Sequence, residues 1–277
     1  MAFKDILVAL SSYPDPAPFS VVDHAVSIAA ALGAHIAALS FENQVQVPGH
    51  FIPSSLLGRI IAEETGRSRQ NARDLLAAFD AAAEKSGVLH ETILENCTTP
   101  EVPDILVEYA RLRDLTILSV PVSYDQWYAE AIIFGSGRPT LIVPETPQPR
   151  PFDAGTIAVA WDFSRAAARA VSDALPILEL AKKVRVVTVT REKALNSKRS
   201  PEELAKNLAR HGIDVVVDEV HAGDNPIGSV LESYTVSHKV DLLVMGAFGH
   251  SRLREFLLGG ATQSLLSKPP LPILFSH

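Results

Sequence analysis

Apolar residues recur along this chain in short continuous runs, and each run is followed by a longer amphipathic stretch. Typical runs are DILVAL at residues 5–10 and DLLVMGA at residues 241–247, and a typical amphipathic stretch is VVDHAVSIAAALG at residues 21–33. Short apolar runs predict strands that are buried on both faces, whereas apolar positions three and four residues apart predict helices. Strands that alternate with helices indicate a parallel sheet with right-handed crossovers. The pattern therefore predicts an α/β fold.

This order of elements occurs twice, once in each half of the chain. The predicted strands are residues 5–11, 35–41, 88–95, 114–120 and 140–145 in the first half, and 156–162, 184–190, 213–220, 241–247 and 272–277 in the second. The predicted helices include residues 21–33, 68–87 and 100–113 in the first half, and 164–183, 200–212, 225–239 and 261–268 in the second. Each half thus predicts the order β-α-β-α-β-α-β-α-β. We expect two tandem, open, mostly parallel five-stranded sheets with helices on both faces, a Rossmann-like architecture.

A polar, proline-rich segment joins the two halves. Residues 146–155 read TPQPRPFDAG, and three prolines with one glycine are typical of a stiff linker. We expect a first domain over residues 1–146, a linker over 147–155 and a second domain over 156–277. Within the first half, residues 43–67 are rich in polar residues and proline breaks, and they are predicted as a long loop.

The composition narrows the classes of partner. Hydrophobic residues make up 47% of the chain and charged residues 21%, which supports a folded core and argues against disorder. The formal net charge is -7. Nucleic acids and anionic membranes are bound by basic surfaces, so neither is an expected partner. No apolar run approaches the ~18 residues of a membrane span and no signal-peptide pattern is present, so we expect a cytoplasmic protein.

Metal and catalytic motifs are missing from the sequence. The single cysteine, Cys97, cannot form an internal disulfide or a Cys-rich zinc site. The nine histidines are scattered without an HExxH motif, and no Gly-x-Ser-x-Gly elbow, Walker loop or dinucleotide fingerprint occurs. We therefore predict no metal ligands and no catalytic residues.

One loop in the second half is a candidate phosphate-binding segment. Its small residues are Gly246 and Gly249, then, after nine residues, Gly259, Gly260, Ala261 and Thr262. Glycine lets backbone N–H groups approach a phosphate, and the start of helix 261–268 adds free N–H groups and a hydroxyl. The alternative is that the glycines serve only as turn residues.

The spacing Gly-x-x-Gly, nine residues, Gly and a small residue resembles the nucleotide loop of the universal stress protein family. In ATP-binding members the last glycine is usually followed by Ser or Thr, whereas this chain has Gly260 there. The hydroxyl two residues later matches as Thr262. The resemblance extends to the order of elements over nearly the whole second half and, more loosely, over the first half. It implies an adenine nucleotide alpha hydrolase-like fold and a tandem arrangement of two family domains.

The resemblance also implies residues that would contact the adenosine. The family places an aspartate at the end of strand one, where this chain has Asp162. The alternative is that Asp162 caps the following helix, with Ser164 as a rival cap. By position alone, Val187 and Val189 at the end of strand two would form a wall for the adenine.

Basic residues in the glycine loop are implied phosphate contacts. Many relatives carry a basic residue where this chain has His250, and Arg252 and Arg254 are alternative partners. The competing interpretation is that all three are solvated loop residues. Residues 223–226, Gly-Asp-Asn-Pro, resemble the family's Gly-x-Pro turn beside the pocket, with one extra residue.

The first half lacks most of these features. Ser11 stands where the second half has Asp162, and Ser119 stands where it has Gly246. The loop after strand four carries the bulky Trp127 and Tyr128. We predict a degenerate domain that is structural or specific for another ligand, with a second nucleotide site as the alternative.

The resemblance implies a protein of stress response or signalling that binds ATP, or AMP or ADP, in its second domain, with Mg²⁺ beside the phosphates. The alternatives are an interaction module that needs no nucleotide and a slow ATPase on the same fold. In this family, halves pair through their fifth strands. We therefore expect an intramolecular pseudo-dimer of the two halves, with a homodimer of two chains as a further possibility.

Overall fold

The computed structural model describes residues 2–45, 54–120, 127–146, 151–190, 200–247 and 260–277. The chain divides into two compact units. The first unit comprises residues 4–136 and 145–151, and the second unit comprises residues 1–3, 137–144 and 152–277.

The first unit alternates strands and helices. Its strands are β1 (Asp5–Leu10), β2 (His35–Gln44), β3 (His90–Thr98) and β4 (Leu115–Leu118), and its helices are α1 (Phe19–Leu32), α2 (Ser54–Ser86), α3 (Val102–Arg111) and α4 (Trp127–Gly135). The strand order is β3-β2-β1-β4, and each neighbouring pair is parallel. Helix α1 packs against α2, β1 and β2, and α3 packs against α4.

The second unit repeats this alternation of strands and helices after an additional first strand. Its strands are β5 (Thr140–Ile142), β6 (Thr156–Ala160), β7 (Lys183–Thr190), β8 (Val215–His221), β9 (Leu242–Gly246) and β10 (Ile273–Ser276), and its helices are α5 (Arg165–Leu178), α6 (Glu202–Arg210), α7 (Ile227–Ser237) and α8 (Gly260–Ser267). The strand order is β5-β10-β9-β6-β7-β8. Only the β5–β10 pair is antiparallel among the described pairs of this unit.

The predicted fold class is confirmed as α/β with mostly parallel strands. Residues 137–144 group with the second unit because β5 pairs with β10. The domain bounds at residues 146 and 156 stay predictions. The structure corrects one element: residues 54–67, predicted as part of a loop, form the first turns of α2. None of the helices that the structure describes is both long and apolar enough to cross a bilayer.

The connections reverse direction at one place in each unit. In the first unit the chain runs from β1 to β2 to β3 on one side of β1 and then returns to β4 on the other side. In the second unit β6 and β9 take the corresponding places. Because parallel crossovers are right-handed, this reversal sends the following helices to the opposite face of the sheet and opens a crevice at the carboxyl ends of the central strands. A ligand site is therefore expected beyond β1 and β4, and beyond β6 and β9.

A charged cluster joins three elements of the second unit. On β8, Asp218 Oδ2 accepts hydrogen bonds from Arg185 Nη1 on β7 at 2.6 Å and from the Tyr234 hydroxyl on α7 at 2.5 Å. Burial alone would raise the pKa of Asp218, but the hydrogen bonds from Tyr234 and Arg185 outweigh it and lower that pKa. Burial, aided by the hydrogen bond to Asp218, raises the pKa of Tyr234 to about 12. The cluster therefore contributes stability while Asp218 is ionised.

We predict that Tyr234→Phe lowers the free energy of unfolding by about 1–2 kcal/mol at pH 7, because a hydrogen bond to a carboxylate is lost. A lowered pKa in the folded state stabilises the protein above the ordinary carboxyl pKa and is lost as pH falls through the folded-state value. The difference between variant and wild type should therefore shrink below pH ~4. Urea denaturation at a series of pH values measures it.

Lys182→Gln is the matched control, because the ion pair of Lys182 with Asp153 is exposed at both ends and such pairs contribute little. A Tyr234→Phe difference that stays constant down to pH 2 would show that the phenol stabilises the fold without its link to Asp218.

Candidate functional site

The strand pairing of the second unit brings the ends of β6, β7 and β9 to the same carboxyl edge. Ala160, the last residue of β6, pairs with Met245 on β9 and with Val187 on β7. The next backbone N–H, that of Trp161, donates to the Val187 carbonyl oxygen at 2.8 Å. Trp161 and Asp162 therefore leave the sheet beside Gly246, at the place where the strand order reverses. This is the position that parallel sheets use for ligands.

Asp162 forms the turn that leads into α5. The Asp162 side chain is exposed, and its Oδ1 accepts a hydrogen bond from the Ser164 N–H at 2.9 Å. Ser164 is the residue that caps the helix, since its Oγ accepts from the Ala167 N–H at 3.0 Å. The two alternatives of the sequence are thereby separated: Ser164 takes the capping role, and the Asp162 carboxylate faces solvent at the carboxyl edge.

Trp161 is a residue of this edge that the sequence reasoning missed. Its indole packs edge to face against Phe163, with ring centroids 5.5 Å apart. Its Nε1 is buried and has no hydrogen-bond partner among the described residues. A buried donor without a partner is unfavourable, and an acceptor supplied by a ligand would relieve it. The sequence did carry an indication of this residue, because the tryptophan directly precedes Asp162 and follows a mostly aliphatic strand.

Gly246 has a packing role that its place in a glycine loop did not reveal. A Cβ at this position would lie 2.5 Å from the Ala166 carbonyl carbon and 2.5 Å from the Ala167 nitrogen. Both atoms belong to the first turn of α5, which packs against β9 and β10. Glycine is therefore required at the end of β9 to let α5 cross it closely, whether or not a ligand is bound.

The described part of the glycine loop ends on helix α8. Gly260 is the first residue of α8 and is exposed, and a Cβ there would meet no atom within 4 Å. Ala261 is half-buried, and the Thr262 side chain is buried at 2% exposure. Thr262 therefore sits inside the unit rather than on its surface. Gly249, His250, Arg252 and Gly259 lie outside the described residues, as does Arg254.

The two valines proposed from position lie on β7 as expected. Val187 is 1% exposed and Val189 is half-buried. They are two residues apart in a strand, so their side chains lie on the same face of the sheet. Between them, Thr188 is buried and its Oγ1 has no partner among the described residues. Val189 is thus the more accessible of the two for a ligand.

The turn at residues 223–226 closes this edge before α7. Gly223 has a φ of 54°, and the Asn225 N–H and Nδ2 both donate to the Ala222 carbonyl oxygen, at 3.0 and 3.1 Å. Ala222 in turn donates to the Thr190 carbonyl oxygen at the end of β7. The turn therefore follows directly on the strand that carries the two valines.

The equivalent edge of the first unit carries different side chains. Ala9 pairs with Leu118 as Ala160 pairs with Met245, so Ser119 takes the place of Gly246. The Ser119 hydroxyl donates to Glu145 Oε1 at 2.9 Å, and the Ser11 hydroxyl donates to the carbonyl oxygens of Tyr13 and Asp15. A pocket opens at this edge, between the ends of β1 and β4. In the part of the chain that the structure describes, no group of three His, Cys, Asp or Glu side chains is arranged to hold a metal ion.

Sequence and structure comparisons connect the chain to known proteins. Residues 154–277 match the sequence model described as the Universal stress protein family. A segment of 41 residues, 15% of this chain, is 44% identical to a universal stress protein of Synechocystis, and it covers 14% of that protein. The chain therefore matches only a small part of that relative's length.

Several solved structures match the chain over nearly its whole length. A universal stress protein from Archaeoglobus fulgidus aligns with a TM-score of 0.72 and 14% identity, over 98% of this chain and 95% of that one. A protein described as a putative universal stress protein from Pseudomonas aeruginosa aligns with a TM-score of 0.60 and 17% identity, over 99% of this chain and 93% of that one. At these identities the likeness shows a shared fold.

We predict that Gly246→Ala destabilises the second unit by about 1–3 kcal/mol, because the added methyl group collides with the backbone of α5. Gly260→Ala is the control, and it should leave stability unchanged or raise it slightly, because its Cβ meets no atom and alanine favours helix. Urea unfolding of both variants without ligand measures the difference. Equal stability of the two variants would remove the packing role of Gly246.

Proposed function

We propose that this chain, whose residues 154–277 belong to the universal stress protein family, binds an adenine nucleotide at the carboxyl edge of its second unit. The ligand would be ATP, or AMP or ADP, with Mg²⁺ beside its phosphates. The protein would act in stress response or signalling, with nucleotide occupancy changing the surface that a partner meets. No catalytic residue is part of this proposal.

The observation that carries the proposal is the placement of Asp162 beside Gly246 where the strand order reverses. The register of β6 with β9 puts the exposed Asp162 carboxylate just beyond the end of β6, beside the residue from which the glycine loop departs. A carboxylate there can accept hydrogen bonds from ribose hydroxyls or from the adenine amino group. The Trp161 Nε1 donor and the half-buried Val189 lie at the same edge.

Helix α8 supports the phosphate end of the same ligand. It connects β9 to the parallel strand β10, and a helix in such a crossover begins at the carboxyl edge of the sheet. Its first residue, Gly260, is exposed and places no side chain before the helix. The free N–H groups of a helix start, together with its partial positive charge, bind phosphate. His250, Arg252, Gly249 and Gly259 remain proposed contacts of the phosphates.

One observation favours the alternative of an interaction module without nucleotide. Thr262, whose hydroxyl matches the family pattern, is buried inside the unit at 2% exposure, and Gly260 supplies no hydroxyl in its place. The phosphate site would then rest on backbone donors and on the loop's basic side chains. The experiments below separate the two functions.

The pairing of the fifth strands supports a pseudo-dimeric organisation. β5, from the first half of the sequence, pairs antiparallel with β10 from the second half, with Leu141 opposite Leu274. We propose that the tandem fold replaces the pairing of two separate chains by an intramolecular one. Association of two such chains into a homodimer is testable by sedimentation.

We predict that ATP with Mg²⁺ raises the thermal midpoint of the wild-type protein and that Gly260→Asp abolishes this rise. A ligand that binds only the folded state stabilises it by about 2.7 kcal/mol at a hundredfold excess over Kd. The Gly260→Asp carboxylate would occupy the helix start with the charge of a phosphate and repel the nucleotide. The variant itself should be stable, because an acidic residue is favourable in the first turn of a helix.

Gly260→Ala is the matched control and should keep the response to ATP. Adenosine, which has no phosphate, should bind wild type and Gly260→Asp equally. If millimolar ATP leaves the midpoint of nucleotide-free wild-type protein unchanged, the nucleotide function is wrong and an interaction module is the better account.

We also predict that Asp162→Asn weakens the binding of adenosine and of ATP by about the same factor, on the order of tenfold. The reason is that a charged acceptor for the nucleoside is lost. Asparagine keeps the Oδ1 acceptor for the Ser164 N–H, so the turn before α5 is preserved. Calorimetric titration with both ligands measures the factor. A loss confined to ATP would assign Asp162 to the phosphate or to its Mg²⁺ instead.

A further inference from the structure

The pocket of the first unit lies at the same topological position as the proposed nucleotide site, but its chemistry differs. It encloses about 670 Å³, counting the part open to solvent at its mouth. Strand ends β1, β2 and β4 form one side, and residues of α3 and α4 form another. Parallel sheets bind small ligands in crevices at this position, beyond the carboxyl ends of strands where the strand order reverses.

The walls of this pocket are mainly apolar. Leu10 and Leu118 come from the central strands, Phe41 from β2, and Val102 and Leu106 from α3. Tyr13 and Tyr128 add aromatic surface. None of the described residues that line the pocket is Lys, Arg or His, and one of them, Asp15, is acidic. A polyphosphate would meet no compensating cation here, so the lining disfavours nucleotides.

The two serine hydroxyls at the pocket donate their protons to acceptors of the protein. Ser11 Oγ donates to the backbone carbonyl oxygens of Tyr13 and Asp15, at 3.2 and 3.4 Å. Ser119 Oγ donates to the Glu145 carboxylate at 2.9 Å. A serine hydroxyl has one proton and two lone pairs, so both oxygens can still accept a hydrogen bond. Both side chains are half-buried, at the ends of β1 and β4.

The side-chain oxygen of Asn43, which also lines the pocket, is a third acceptor. Ser12 Oγ donates to the Phe41 carbonyl oxygen and therefore accepts from Asn43 Nδ2, at 3.2 Å. The backbone N–H of Asn43 donates to Ser68 Oγ at 3.0 Å. These bonds fix the orientation of the Asn43 amide and leave Oδ1 buried without a partner among the described residues. The polar groups of the pocket are thus mostly acceptors, in an apolar lining whose described residues include no cation.

We propose that this pocket binds a small, mainly apolar molecule that carries N–H or O–H donors and no negative charge, through the hydroxyl oxygens of Ser11 and Ser119. The apolar walls bury the apolar part of the ligand. The two serine hydroxyls already donate their protons to the protein, so they favour a ligand that donates a hydrogen bond to them. The Asp15 and Glu145 carboxylates exclude anions. This site is separate from the proposed nucleotide site, and neither depends on the other.

Indole, 1-methylindole and indole-3-acetate test the proposal on the full-length protein. The first has an N–H donor, the second lacks it, and the third adds a negative charge. We expect indole to bind about fivefold more tightly than 1-methylindole, the factor of one lost hydrogen bond. Indole-3-acetate should bind at least about tenfold more weakly than indole. Ligand-observed NMR titration gives the affinities, and amide shift changes over residues 9–15 and 118–120 give the location.

A paired variant separates the role of the hydroxyls from that of the walls. In the double variant Ser11→Ala with Ser119→Ala, the ratio of the affinities for indole and 1-methylindole should fall close to one. The affinity for 1-methylindole itself should stay as in the wild type. Both sites are half-buried and alanine is smaller than serine, so the fold should persist. Should the pair fail to fold, at least one of the two single changes still has to reduce the preference, because indole has one N–H to donate.

Three results would overturn the proposal. The first is an absence of saturable indole binding up to its solubility limit. The second is an equal affinity for indole and 1-methylindole in the wild type. The third is displacement of indole from residues 9–15 by ATP, which would make this pocket a second nucleotide site. None of these results bears on the ATP response of Gly260→Asp, so failure here is distinguishable from failure of the nucleotide proposal.

Discussion

Right-handed crossovers between parallel strands are the constraint on which this structure depends. They oblige the chain to place its helices on opposite faces once the strand order reverses, at β1 with β4 and at β6 with β9. Residues far apart in sequence, such as Asp162 and Gly246, meet at that edge because of the register alone. Each unit therefore has a crevice there as a consequence of its topology, whichever side chains line it. What the crevice accepts is then decided by the few side chains at the strand ends.

The two halves show how much those few side chains matter. The second unit presents Asp162, the start of the glycine loop and an exposed helix start, which together suit a sugar and phosphates. The first unit presents Ser11 and Ser119 at equivalent places, with apolar walls and no described basic residue in the lining. The same topological position thus carries different side-chain chemistry in the two units. Fold likeness therefore carries the architecture to both halves and decides the ligand of neither.

The periodicity of the sequence predicted the element order well because buried parallel strands need continuous apolar runs, and this signal is local. It failed for the start of α2, where Gly58, Thr65 and Gly66 weaken helix propensity. These first turns are exposed or half-buried, and they continue into a helix whose later residues, such as Leu75 and Phe79, are buried. Spacing and resemblance predicted a set of positions for the candidate site, and their role in binding stays a prediction. The 2.5 Å approach of α5 to Gly246 was not predictable, because close contact between a helix and a strand end leaves no local pattern.

The helix that follows the first strand packs differently in the two units. In the second unit, α5 packs on β9 and β10, and its first turn comes so close to β9 that only glycine fits at residue 246. In the first unit, α1 packs instead on α2, β1 and β2. The 33-residue α2 offers α1 a long partner, whereas the nine-residue α6 packs on β8. The end of β4 carries Ser119 in place of a glycine, and Ser119 lines a pocket there. The helix after the first strand thus has different neighbours in the two units, and the end of the strand beside it carries a glycine in one unit and a serine in the other.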